Sequence, residues 1–187
     1  MQFRRKKKMV SLAVLFYIFI VIFALIGAIR GWAKEVTATF SVFLSLFILA
    51  VLQSFVPAVD TYLNNSPVSS QVTFKLFTLG VVVFAGYQTP NLPMFMQNQH
   101  FKRNQMQDVI LGFLIGGFNG YMIYGSLWYF IHEGGYPFSF VLAPIAGTPA
   151  GQAALQLIPL LPPVWLVAPG IYFAIAIAFL FVLMVFI

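Results

Sequence analysis

The groups able to do acid–base or metal chemistry in this 187-residue chain are few: Glu35, Asp60, Asp108, Glu133, His100 and His132. Such chemistry needs several of them converging on one point. None falls inside a long apolar run, and the adjacent pair His132-Glu133 would diverge on a helix. A lone histidine at the edge of an apolar run is a thin ligand set for a haem or chlorin. Cysteine is absent, which removes disulfides, thiolate zinc sites, iron–sulfur ligation and thiol nucleophiles. The sequence therefore predicts no catalytic residue, no metal site and no cofactor.

The elements that would position these groups are set by where charge is missing. Arg30-Gly31-Trp32-Ala33-Lys34-Glu35 separates two uncharged runs of 21 residues each, 9–29 and 36–56. As helices these runs are about 32 Å long, and a bilayer core takes roughly 20 apolar residues per crossing. The chain is 61% hydrophobic and 7% charged, with mean hydropathy +0.93. Soluble domains carry about 25% charged residues, so this chain cannot clothe itself in polar surface. The expected fold is an all-α integral membrane protein that opens with a hairpin. Arg30 closes the first helix and Glu35 opens the second, each matching its helix dipole. Arg30, Gly31, Lys34 and Glu35 then form either a charge-locked turn or a docking patch for a partner or anionic lipid.

Arg4, Arg5, Lys6, Lys7 and Lys8 supply much of the net charge of +6. They abut a membrane span, so residues 1–8 read as a basic flank that sets topology among anionic headgroups, with the N-terminus inside, and not as a nucleic-acid site. The run 9–29 exceeds the roughly 7–15 residues of a signal-peptide core and is taken as the first transmembrane helix. Pro57 ends the second. Residues 58–70 are expected to be a polar loop, 72–87 a short third span, 88–107 a polar connection and 109–131 a fourth span. Lys75, near the start of the third span, can snorkel to the interface. Transport would need intramembrane ionisable groups or broken helices. Thr37, Thr39, Ser41 and Ser45 suit interhelical hydrogen bonds better.

Residues 132–168 are apolar yet, with Pro169, hold seven of the eleven prolines. Such a segment cannot span as a helix and must lie at the interface or pack on protein. A short helix is expected at 149–158, with Gln152 and Gln156 on one face. Residues 169–187 complete the chain as a fifth transmembrane helix.

The fourth span carries Asp108, Gly112, Gly116 and Gly120 at a spacing of four, with Gly117 and Asn119 beside them. Asp108 is placed to cap the first turn. The glycines form one stripe on which another helix can approach to backbone contact. That helix belongs either to this chain or to another subunit, and the Asn119 amide is placed to bridge it.

These two motifs together resemble the colicin V production protein (CvpA) family, over roughly residues 10–131. The family has Arg-Gly, two residues, then a basic residue with Glu between its first two helices, as in Arg30-Gly31-Trp32-Ala33-Lys34-Glu35. It also has an Asp followed by glycines at four-residue steps, as in Asp108, Gly112, Gly116 and Gly120. It commonly places a basic residue just before the last glycine, where this chain has Asn119. The resemblance implies a four-helix transmembrane domain over residues 9–131, a bacterial inner membrane and a structural or scaffolding role in envelope or secretion physiology. The basic flank and residues 132–187 look like additions. The apolar proline-rich tail and uncharged C-terminus motivate a second expectation, an accessory subunit of a larger respiratory or photosynthetic membrane complex. The expected partners are the lipid bilayer and other membrane subunits or copies of the chain itself.

Overall fold

The computed structural model describes residues 12–88 and 105–186; the basic flank and the connection bearing His100, Lys102 and Arg103 lie outside the described residues. Among these, the regular elements are α1 (Leu12–Arg30), α2 (Trp32–Phe55), α3 (Pro57–Asn65), α4 (Val68–Tyr87) and α5 (Gln105–Glu133). They continue with α6 (Pro149–Leu157), a 3₁₀ turn (Ile158–Leu160), α7 (Pro162–Trp165) and α8 (Gly170–Phe186). Helices α1, α2, α4 and α5 are each long and apolar enough to cross a bilayer. The chain is an all-α membrane protein.

Its surface has the inverse of a soluble pattern. Val14, Tyr17, Val21, Leu25 and Ile29 on α1 are exposed, as are Phe173, Ile177, Leu180 and Met184 on α8. The buried residues of α1 are Ala13, Phe16, Ala24 and Gly27. With apolar lipid outside, close packing and polar contacts decide which face turns inward.

Helix boundaries depart from the sequence expectation in several places, the fourth span among them, which starts at Gln105. The six-residue turn shrinks to Gly31 alone, because α2 begins at Trp32. The polar loop 58–70 is largely helical: Pro57 occupies the first turn, where its missing N–H costs nothing, Asp60 favours the helix N-terminus, and Leu63 is buried. The third span starts at Val68, earlier than residue 72, so Lys75 is two turns inside it. Lys75 forms an ion pair with Glu133 of α5.

Consecutive contacts fix the helix directions. Gly27 meets Gly112 while Phe16 meets Trp128, so α5 runs antiparallel to α1. Gly86 of α4 meets Ser41 near the start of α2. Phe40 packs on Phe179 and Phe47 on Tyr172, so α8 is antiparallel to α2. The ends of α1 and α4 and the starts of α2 and α5 thus gather at one end of the bundle, here called the hairpin end. One core cluster joins Val42, Leu46, Leu79, Val83 and Met122; a second joins Ala13, Phe16, Tyr124, Trp128 and Leu161.

The proline-rich segment packs on protein. The α6–α7 piece and α8 are bent by 67° relative to each other. Leu161 and Pro162 are fully buried, and Pro162 sits against Gly125 of α5. Tyr121 lies 13 residues along α5 from Asp108, or about 20 Å from the hairpin end. Its hydroxyl donates to the Leu160 carbonyl and accepts from Trp165 Nε1 at 3.0 Å. The Tyr121 side chain of α5 thus satisfies a carbonyl of the irregular backbone at mid-bundle depth, the condition under which such backbone is tolerated there.

Candidate functional site

The two motifs, more than 70 residues apart in sequence, meet at the hairpin end. Gly31 has φ +84° and ψ 157°, a conformation essentially confined to glycine. It lets α1 stop and α2 start within one residue, so Arg30 and Lys34 do not share a continuous helix. Trp32 N, the first donor of α2, is 3.2 Å from Asp108 Oδ1. Asp108, which lies in the first turn of its own helix as expected, also caps α2. A Cβ on Gly31 would lie 2.9 Å from Asp108 Oδ2, so a side chain there would also push the capping carboxylate aside. Gly31→Ala is expected to destabilise the protein by about 1–3 kcal/mol. A thermal unfolding scan in detergent reads this, and an unchanged midpoint would contradict the tight-turn account.

Below the turn lies the glycine stripe. A Cβ on Gly112 would be 2.3 Å from the Gly27 carbonyl oxygen, and one on Gly116 would be 2.4 Å from the Phe23 carbonyl oxygen. Gly120 faces Ile20 and Phe23, and Gly117 faces Ala24 at ordinary contact distance. The stripe's partner is α1 of the same chain, centred on Gly27. The sequence contained that signal as Gly27-x-x-x-Gly31, but the uniformly apolar α1 gives no phase that marks Gly27 as inward.

The centre of the site is Glu35, which is fully buried. Arg30 Nη1 donates to its Oε1 at 2.6 Å. Tyr87 OH and Asn119 Nδ2 donate to its Oε2 at 3.2 and 2.9 Å. Arg30 Nη2 also reaches the Tyr87 carbonyl at 3.0 Å, and the guanidinium lies 4.4 Å from the Tyr87 ring centroid. Asn119 Nδ2 further donates to the Glu35 carbonyl at 3.0 Å, and Thr39 Oγ1 donates to Asn119 Oδ1 at 2.7 Å. One buried acid thus ties together α1, α2, α4 and α5. A buried carboxylate is tolerated only when paired and hydrogen-bonded, and three donors achieve that here. Sequence reasoning singled out Arg30 and Glu35 at the hairpin turn and Asn119 beside the glycine stripe without joining them; it missed Tyr87, and read Thr39 only as a helix-bonding residue.

Lys34 is half-buried and has no ion-pair partner among the described residues. At the opposite end, His132 and Glu133 diverge: Glu133 pairs with Lys75, while the His132 ring packs on Tyr136 at 5.7 Å. The Tyr136 hydroxyl is held above the ordinary phenol range by burial, an effect reduced by its bond from Trp128 Nε1. Among the described residues no three His, Cys, Asp or Glu side chains converge as a metal site. Comparison with protein-family models, curated proteins and solved structures yields no match to this chain.

Proposed function

We propose that this chain is a CvpA-like polytopic membrane protein with a structural, scaffolding role in envelope or secretion physiology and no catalysis of its own. Its setting in this proposal is a bacterial inner membrane with the N-terminus cytoplasmic. The observation that supports it is the convergence of the two resemblance-bearing motifs. Gly31 backs onto Asp108, the stripe from Gly112 to Gly120 seats α1, and Arg30 and Glu35 close the joint. The donors that reach Glu35, from Arg30, Tyr87 and Asn119, come from three other helices and join them, and this is the use of polar groups expected of a scaffold.

The test is a mild-detergent pull-down of the tagged native protein, followed by mass analysis and an absorption spectrum. A colourless particle containing this chain alone or as a homo-oligomer is expected. Stoichiometric recovery with pigment- or haem-bearing subunits would replace the proposal with an accessory subunit of an energy-transducing complex.

A further inference from the structure

Helices α2, α5 and α8 enclose an open-sided cavity of about 510 Å³, walled by Val36, Phe40, Phe43, Phe118, Ile177 and Ala178 among others. Its volume is within the roughly 300–1,000 Å³ of small-molecule sites. Thr39 is the one lining residue with a polar side chain. We propose that this cavity binds a long-chain alcohol, an apolar chain ending in a neutral hydroxyl that donates to Thr39. The proposal goes beyond the scaffolding role and does not depend on it.

The direction of the hydrogen bonds behind Thr39 fixes what it can offer the cavity. The Arg30–Glu35 pair makes the carboxylate an acceptor only. Asn119 must therefore turn its NH₂ toward Glu35, which leaves its Oδ1 facing Thr39. A hydroxyl has one proton and two lone pairs. Both acceptors behind Thr39, Asn119 Oδ1 at 2.7 Å and the Glu35 carbonyl at 2.9 Å, compete for that proton. Whichever takes it, only lone pairs remain for an occupant of the cavity. The complementary ligand is a donor, so esters, ethers and ketones are disfavoured. It is also uncharged, because an ammonium in this apolar surround is costly. Along α2 the lining runs from Val36 to Phe43, about 10 Å, which suits a chain lying between the helices.

The probes are dodecanol and its methyl ether, which match in chain but differ in the donor. Each is titrated into the purified full-length protein in mild detergent, with adducts counted by native mass spectrometry. The alcohol is expected to bind about three- to tenfold better than the ether, the worth of one net hydrogen bond. Thr39→Val should bring that ratio to about one, Thr39→Ser should keep it, and Ala178→Phe should abolish binding of both probes by filling the cavity away from Glu35. Equal binding of the two probes to the unaltered protein overturns the proposal. So does an undiminished preference in Thr39→Val, or undiminished binding in Ala178→Phe. Should Thr39→Val fail to fold, the unaltered protein, Thr39→Ser and Ala178→Phe still decide the question.

Discussion

Gly116→Leu is expected to separate α1 from α5 and to abolish a monodisperse particle in detergent. The first added carbon alone would lie 2.4 Å from the Phe23 carbonyl oxygen and 2.9 Å from the Gly27 Cα. Both are backbone atoms of α1, so no rotamer change relieves the clash and the helix itself must move. Overpacking a rigid interior costs about 1–3 kcal/mol when side chains can yield. Here the loss also reaches the Asp108–Trp32 cap two turns above and the Phe16 contacts with Tyr124 and Trp128 below. Two alanine variants show that the effect is local. Gly117→Ala would place a methyl 3.4 Å from Ala24, an ordinary contact, and Gly80→Ala points into open space. Gly80→Ala should gain up to about 1 kcal/mol of helix propensity. Thermal unfolding and size-exclusion profiles in one detergent compare all three. Gly116→Leu behaving like Gly117→Ala would refute the close-contact account.

That stripe was legible because four-residue spacing is a local property of one helix. Its partner was not, since α1 is apolar on every face and no period singles out Gly27. The same limit governs the polar site. Arg30 and Glu35 stood out as charges at helix ends, and their dipole roles followed from position alone. That Glu35 is fully buried, with Tyr87 of α4 and Asn119 of α5 upon it, depends on how three helices align in depth. No single segment encodes that alignment. The four long apolar helices followed from bilayer thickness. By contrast α3 was hidden by Asn64, Asn65, Ser66 and Pro67, which favour turns locally and here lie only at the helix end. For the proline-rich segment, sequence physics excluded a continuous helix. Its descent to Tyr121 needed a tertiary partner for the Leu160 carbonyl, which periodicity does not reveal.

Arg30→Met should be the most destabilising change at the polar site, by about 3–5 kcal/mol, because it strands a carboxylate that has no exposure. Glu35→Gln should cost less. Arg30 keeps 19% of its side-chain surface exposed at the bundle end, and it retains the Tyr87 carbonyl and ring. Combining the two should recover part of the Arg30→Met loss, with a coupling of about 0.5–3 kcal/mol measured by thermal or denaturant unfolding. Additive losses would mean that the pair is not an energetic unit, and the central lock would be lost from the account. Glu35→Gln has a second consequence that separates stability from recognition. The carboxylate is one of two acceptors that orient the Asn119 amide, and the Glu35 backbone carbonyl is the other. With an amide at position 35 the backbone carbonyl there still accepts from Asn119 Nδ2 at 3.0 Å and from Thr39 Oγ1 at 2.9 Å, so Thr39 still has only lone pairs to offer the cavity. The preference for dodecanol over its methyl ether should therefore persist in Glu35→Gln while the stability falls. A preference lost in Glu35→Gln would show that the carboxylate, and not the backbone carbonyl at position 35, sets the polarity of the cavity wall.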